Sequence, residues 1–422
     1  MKRTTAGLSP KTNRALVIAE SMLTAGIISV PFMTILYEAE IGLTHEQIAI
    51  TQAAFTVVAM LLNIPLGWVA DRFSRKFANI LGDFLCFLGL IFYTQAHTML
   101  DCVLCETLFG VGIAFSQGVD SSLLKHFADK EDASNNHKLY KDSFGRMSSL
   151  CYLVCLAYYV IGFAIGDMNV RDIIMISSIP FIFAIIAGLF IHDDSVKLGK
   201  TKAEAKEEAQ ENKKSDDDKT IFEIIHETLG NPKLNIRIAA YMIAREMTHG
   251  IIWCFTPLLQ FVGIDGKWIV LGWAANSLAA YLGTKLARRL GGKLSEWVRF
   301  VIPVMIVALA ALAMSIHLSV FTLCLYVFFG IAQGWTSVTM MPQIKIHTKG
   351  KLQVTVESIA KVCSQLYYIV AVWLIGRAAD IKLEYAALAT ILLFVPLAIP
   401  VAIRLKRQTE SEKVKKISSV TA

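Results

Sequence analysis

The sequence predicts an all-α membrane protein of twelve transmembrane helices in two six-helix halves, on three observations. Only 18% of the 422 residues are charged and 55% are hydrophobic, with a mean hydropathy of +0.53; a soluble domain carries about 25% charged residues. Apolar runs near the ~20 residues that cross a bilayer recur along the whole chain. One long polar stretch, 192–220, separates two sets of six such runs.

The candidate spans are 15–37, 47–69, 77–97, 102–124, 144–166 and 172–191, then 235–262, 268–287, 298–317, 320–342, 355–378 and 384–404. This divides the chain into an N-terminal set (1–191), a linker (192–234), a C-terminal set (235–404) and a tail (405–422). Lys and Arg cluster after the even-numbered spans, at Arg72, Arg75 and Lys76, between Lys125 and Lys141, and between Lys285 and Lys293. The opposite side has little beyond Arg171, Lys267, Arg377 and Lys382. Positive residues stay inside, so both termini are expected in the cytoplasm.

The formal charge of +7 does not point to nucleic acid, because the basic residues sit in short clusters between apolar runs. Six of the eight cysteines fall within apolar runs, where a thiol behaves as a small hydrophobe. Cys102 and Cys105 have CxxC spacing but no second pair or nearby His to complete a metal site. No cleavable signal peptide is expected, since Lys2, Arg3, Lys11 and Arg14 lead into a run too long for one. The mixed charges of 192–220 read as a solvated linker, with a surface helix or partner site as the alternative.

The halves resemble each other at one place. Sliding the first span by 226 positions sets Glu20 on Glu246 and Pro31 on Pro257. An intramembrane Glu followed eleven residues later by Pro is unusual, and its recurrence points to an internal repeat. Pro257 is expected to kink the seventh span.

Between the second and third spans stands "NIPLGWVADRFSRKF" (63–77). It resembles the loop signature of the major facilitator superfamily, with Gly67, Asp71, Arg72, Arg75 and Lys76 matching and Ser74 where the pattern prefers Gly. Pro65 adds a lead-in similar to that of bacterial drug exporters. "ETLFGVGIAFSQGVDSSLL" (106–124) resembles the fourth span of the same family, but Glu106 stands where exporters usually carry Arg. The proton-transfer role attributed to that Arg is therefore not carried over. The counterpart loop "GTKLARRLGGKL" (283–294) is a degenerate copy of the signature. The resemblance implies two six-helix bundles around a central cavity, rocking to give alternating access. It also implies that the five matching residues form a charged latch at the cytoplasmic face.

An ionisable side chain facing lipid costs at least ~2.5–3.5 kcal/mol, so one in mid-span should face the cavity or a partner. Glu20, Glu246 and His249 are the candidates for proton coupling: burial disfavours a charged carboxyl group, and an imidazole changes charge near neutral pH. The competing readings are a helix-end glutamate for Glu20, a structural ion pair for Glu246 and a packing histidine for His249. Arg245, the basic group placed deepest in any span, is the candidate clamp for an anionic substrate group, or a partner for Glu20 or Glu246. Trp253, Asn276, Gln333, Trp335, Gln365 and Tyr368 are candidates for the cavity wall, though such residues also serve as packing. Asp83, Glu106 and Asp120 are gate candidates.

The resemblance, closest to bacterial efflux members of the family, implies a proton-coupled antiporter exporting a small amphipathic molecule. The alternatives are a proton-coupled importer of an organic anion and a non-transporting sensor on the same fold. The expected partners are substrate, protons and the lipid of a bacterial inner membrane, for a chain acting as a monomer. An enzyme is not expected: there is no P-loop, metal-ligand cluster or nucleophile–base motif, and so no cofactor is expected either.

Overall fold

The computed structural model describes residues 8–72, 74–116, 119–131, 138–192, 221–347 and 353–421; most of the 192–220 stretch lies outside them. Every regular element among them is a helix. In chain order these are α1 Pro10–Leu23, α2 Val30–Ile35, α3 His45–Arg72, α4 Arg75–Tyr93, α5 Met99–Ser116, α6 Val119–Glu131, α7 Lys138–Ala164, α8 Val170–Ser177 and α9 Ile179–Phe190. The second half has α10 Ile221–Gly230, α11 Pro232–His249, α12 Phe255–Phe261, α13 Ile269–Leu290, α14 Glu296–Ile316, α15 Val320–Cys324, α16 Val327–His347, α17 Gln353–Ile381 and α18 Tyr385–Thr421.

Nine segments among the described residues are long and apolar enough to cross a membrane, and they fall on the second to sixth and ninth to twelfth candidate spans. The other three candidates are helical but differ in kind. The eighth is the single 22-residue helix α13, made more polar by Asn276, Ser277 and Lys285. The first and seventh are not continuous helices: α1 stops at Leu23 and α11 at His249, and each resumes as α2 or α12 after five or six residues. The two stops differ by the same 226 positions that align Glu20 with Glu246. The break precedes each proline, so Pro257 does not kink a helix. Pro31 and Pro257 instead sit in the first turn of the helix that follows, where a missing N–H costs nothing.

Elsewhere local chemistry accounts for the ends. Thr44 and Gln47 close reciprocal capping bonds of 2.9 and 3.2 Å that start α3. Ser74 caps α4 from an extended backbone. Helix α18 runs well past its apolar stretch, so the tail expected from residue 405 onward continues the helix. Large apolar side chains are turned outward on several helices, Phe190 of α9 at 64%, Leu392 of α18 at 64% and Phe321 of α15 at 88% exposure, as lipid-facing residues are.

The halves meet along α3 with α17 and α7 with α13. At one end Asp380 of α17 caps α3, accepting the backbone N–H of His45 and of Glu46 at 2.9 Å each, with His45 Nδ1 at 2.7 Å. Trp373 donates to Glu46 at 2.9 Å, and Lys267 pairs with Asp167 at 2.5 Å. Gly376 allows this approach, since a Cβ there would stand 2.8 Å from the His45 carbonyl oxygen. Toward the other end, Ser149 and Thr284 hydroxyls meet at 3.2 Å.

Within the C-terminal half α13 and α16 pack closest. A Cβ on Gly334 would overlap the Ala280 carbonyl oxygen, a backbone atom that cannot step aside. Gly334→Ala is therefore expected to lower the melting temperature of the purified protein, at a cost of about 1–3 kcal/mol. Gly292→Ala, with open space around it, should leave melting unchanged.

Candidate functional site

Three buried constellations lie within the helices, and the first was visible in sequence only as scattered residues. Glu20 on α1 faces Asp83 on α4 and Asp120 on α6, with Asn79 one helical turn before Asp83. Glu20 is 1% exposed. Both of its carboxyl oxygens, one oxygen each of Asp83 and Asp120, and both amide atoms of Asn79 are enclosed without a hydrogen bond of proper geometry. Ser21 donates to Asp120 at 3.0 Å, but its single hydroxyl hydrogen is shared with the Val17 carbonyl at 2.9 Å. No Lys, Arg or His among the described residues pairs with any of the three acids. Among the described residues the cluster has acceptors in excess and no cation.

The second constellation surrounds Glu106 on α5. Its Oε1 accepts from Gln52 Nε2 at 2.7 Å, Tyr93 hydroxyl at 2.9 Å and Tyr37 hydroxyl at 3.1 Å. Three donors hold this carboxyl group in place, as a proton-bearing gate residue would not need. Gln52, Tyr37 and Tyr93 were not among the sequence candidates; a lone amide in an apolar span was the one available signal.

The third lies at the end of α11. Arg245 Nη1 donates to Glu246 Oε1 at 3.0 Å, and the Ser364 hydroxyl makes a very short bond to the same oxygen. Glu246 is buried, with its side chain 3% exposed, while that of Arg245 is 34% exposed. The pairing is thus between chain neighbours, and no described contact joins Arg245 to Glu20. Among the described residues the most buried arginine is Arg237, 2% exposed, which holds Glu296 by two bonds of 2.6 and 2.7 Å in a structural pair. His249 Nδ1 lies 2.8 Å from the Arg245 carbonyl, which can only accept, so Nδ1 carries a hydrogen. Its Nε2 then meets the Gln333 amide at 3.3 Å.

Between the second and third sites stands Trp253, in the break after α11. Its indole donates to Tyr368 at 3.2 Å, and its ring lies 6.5 Å from that of Tyr37. Other wall candidates are placed in helix contacts: Trp335 is 2% exposed and donates to the Arg299 carbonyl at 3.0 Å. Asn276 is buried beside Gly330 at the contact of α13 with α16. Gln365 is half-buried on α17, with its carbonyl oxygen unpartnered. Of the latch residues, Lys76 donates to the Leu189 carbonyl at 2.5 Å, at the C-terminal end of α9. Arg75 is half-buried and engaged. Gly67, Asp71 and Arg72 lie outside the residues whose side chains are described.

Replacing Glu106 by Leu strands three buried donors. Glu106→Leu should lower thermal stability by about 3–5 kcal/mol, whereas Glu106→Gln keeps a carbonyl acceptor and should melt close to the parent. Melting of the two purified variants side by side checks this.

Comparisons with known proteins bear on the fold and the family. An uncharacterized MFS-type transporter of Methanocaldococcus jannaschii is 27% identical over 110 residues, which span 26% of this chain and 28% of that relative. Three solved structures share the fold at 10–12% identity: a D-xylose–proton symporter (TM-score 0.72), a POT family transporter in complex with a thioalcohol-conjugated peptide (0.68) and a nucleoside transporter (0.65). Each similarity covers 94% of this chain and 97%, 94% and 99% of the other, in that order. The sequence pattern of the Major Facilitator Superfamily matches residues 15–372. The protein is accordingly a multi-pass membrane transporter and not an enzyme, and it belongs to the major facilitator superfamily.

Proposed function

We propose that the chain is a proton-coupled secondary transporter in which the Glu20–Asp83–Asp120 cluster carries the proton. One observation carries the reading: three buried acids with oxygens that make no hydrogen bond of proper geometry and, among the described residues, no cation beside them. Three carboxylates cannot all be charged in a low-dielectric interior, and a shared proton relieves the repulsion and supplies the missing donor. Such a group loads a proton when open to one side and releases it when open to the other.

In this reading twelve spans form two six-helix bundles with both termini in the cytoplasm, and the Asp380 end is the outer face. The helix cap by Asp380 and the Lys267–Asp167 pair then hold the outer end shut. The one-third exposure of Arg245 is consistent with access from the inner side. Gly67, Asp71, Arg72, Arg75 and Lys76 act as the inner latch. Solute moves out in exchange for protons, as in the exporters whose signature the 63–77 stretch resembles. The solute is small and amphipathic, as the aromatic and charged residues between the halves require. Uptake of an organic anion is the second reading, favoured by the open guanidinium of Arg245.

In proteoliposomes carrying a pH-sensitive dye, transported solutes should drive proton movement in the parent protein. Glu20→Gln should abolish that movement while solute exchange across the membrane persists. Unchanged proton movement in Glu20→Gln would end the proposal. Asp380→Ala should raise the labelling of a cysteine at Ala49 from outside, and unchanged labelling would contradict the outer-cap assignment.

A further inference from the structure

Two residues of opposite charge in the central region are each satisfied on one side and unpartnered on the other. Glu106 takes all three of its hydrogen bonds on Oε1, while Oε2 takes none from the described residues. Arg245 uses only Nη1, toward Glu246 and Ser364. Its Nε and Nη2 make no hydrogen bond among the described residues and are not enclosed. That unused edge is the one that takes a carboxylate through two parallel N–H bonds.

A chain of contacts links the two poles. Tyr37, bonded to Glu106, sets its ring against Trp253; Trp253 donates to Tyr368. The Tyr368 hydroxyl lies within electrostatic reach of both Glu106 and Arg245. A negative pole from the N-terminal half and a positive pole from the C-terminal half thus flank an aromatic midsection at the interface.

We infer that this site binds a zwitterionic solute: an ammonium group at Glu106 Oε2, an acidic group on the Nε–Nη2 edge of Arg245, and an apolar body against Trp253 and Tyr368. This rests on the transporter reading of the chain and narrows its substrate class. A singly charged solute satisfies one pole and leaves the other desolvated and unmatched. Sites that strand a buried polar group discriminate far more strongly than sites that merely lose apolar contact. Glu106 on this reading is a recognition residue and not a gate. A solute touching both poles also bridges the halves, so its binding favours the state in which they approach.

Binding to the purified full-length protein tests this, using matched trios built on phenylalanine and on alanyl-phenylalanine: the zwitterion, its N-acetyl anion and its carboxamide cation. A zwitterion is expected to bind about tenfold tighter than either partner in its trio. Glu106→Gln should erase the zwitterion's advantage over the anion and leave the anion's own affinity unchanged. Arg245→Gln should erase the advantage over the cation. Equal binding within both trios, binding by neither, or a uniform loss for all probes in Glu106→Gln overturns the inference. Glu20→Gln should preserve the zwitterion preference. Loss of proton movement in Glu20→Gln without any zwitterion preference in the parent would leave the coupling standing and remove only this inference.

Discussion

Hydrocarbon gives a charged side chain no partner, and that constraint organises this molecule. Each ionisable group within the helices must find its own solvation. Arg237 and Glu296 do so with two short bonds, and Arg245 and Glu246 with Ser364 between helices. Glu106 does so with a cage of three donors. Glu20, Asp83 and Asp120 are the exception, because they have one another and too few donors. A group left unresolved at such cost is where a carrier that must exchange a proton with both sides would be found.

The same constraint accounts for the two broken helices. Backbone groups released at Thr24–Ser29 and at Gly250–Cys254 are tolerable at membrane depth only inside the protein. Both breaks lie against the opposite half or a neighbouring helix: Gly26 approaches Cys155, and Trp253 approaches Tyr37. Each break follows an acidic residue by three or four positions, so charge and irregular backbone share the same protected space. Thr256, just beyond the second break, donates to the Pro31 carbonyl at 3.0 Å just beyond the first, tying the two repeats together.

Much of the fold was legible in the sequence because lipid imposes length and composition on each helix separately. Apolar runs located the helices, and the pairing of Glu20 with Glu246 anticipated the register of the two breaks. The breaks themselves were not legible, because Pro257 read as a kink within a helix, whereas it and Pro31 sit in the first turn of new ones. At the site, Arg245, Glu246 and His249 stood out as charges in an apolar run. Gln52, Tyr37, Tyr93, Asn79 and Ser364 did not, since each is unremarkable until another helix arrives beside it. Asp83 and Asp120, read as gate candidates, meet Glu20 only through the packing of α6 on α1 and of α4 on α6. Trp335 and Asn276 show the converse, polar or aromatic groups that suggested a cavity and serve helix contacts.

The central claim is that the Glu20–Asp83–Asp120 cluster holds a proton. Infrared difference spectroscopy of the purified protein at neutral pH reads this through the carbonyl stretch of a protonated carboxyl group. The account predicts such a band, lost or shifted when Glu20, Asp83 or Asp120 is changed to its amide and unaffected by Glu106→Gln. A spectrum without the band, or a band that responds only to Glu106→Gln, would contradict it.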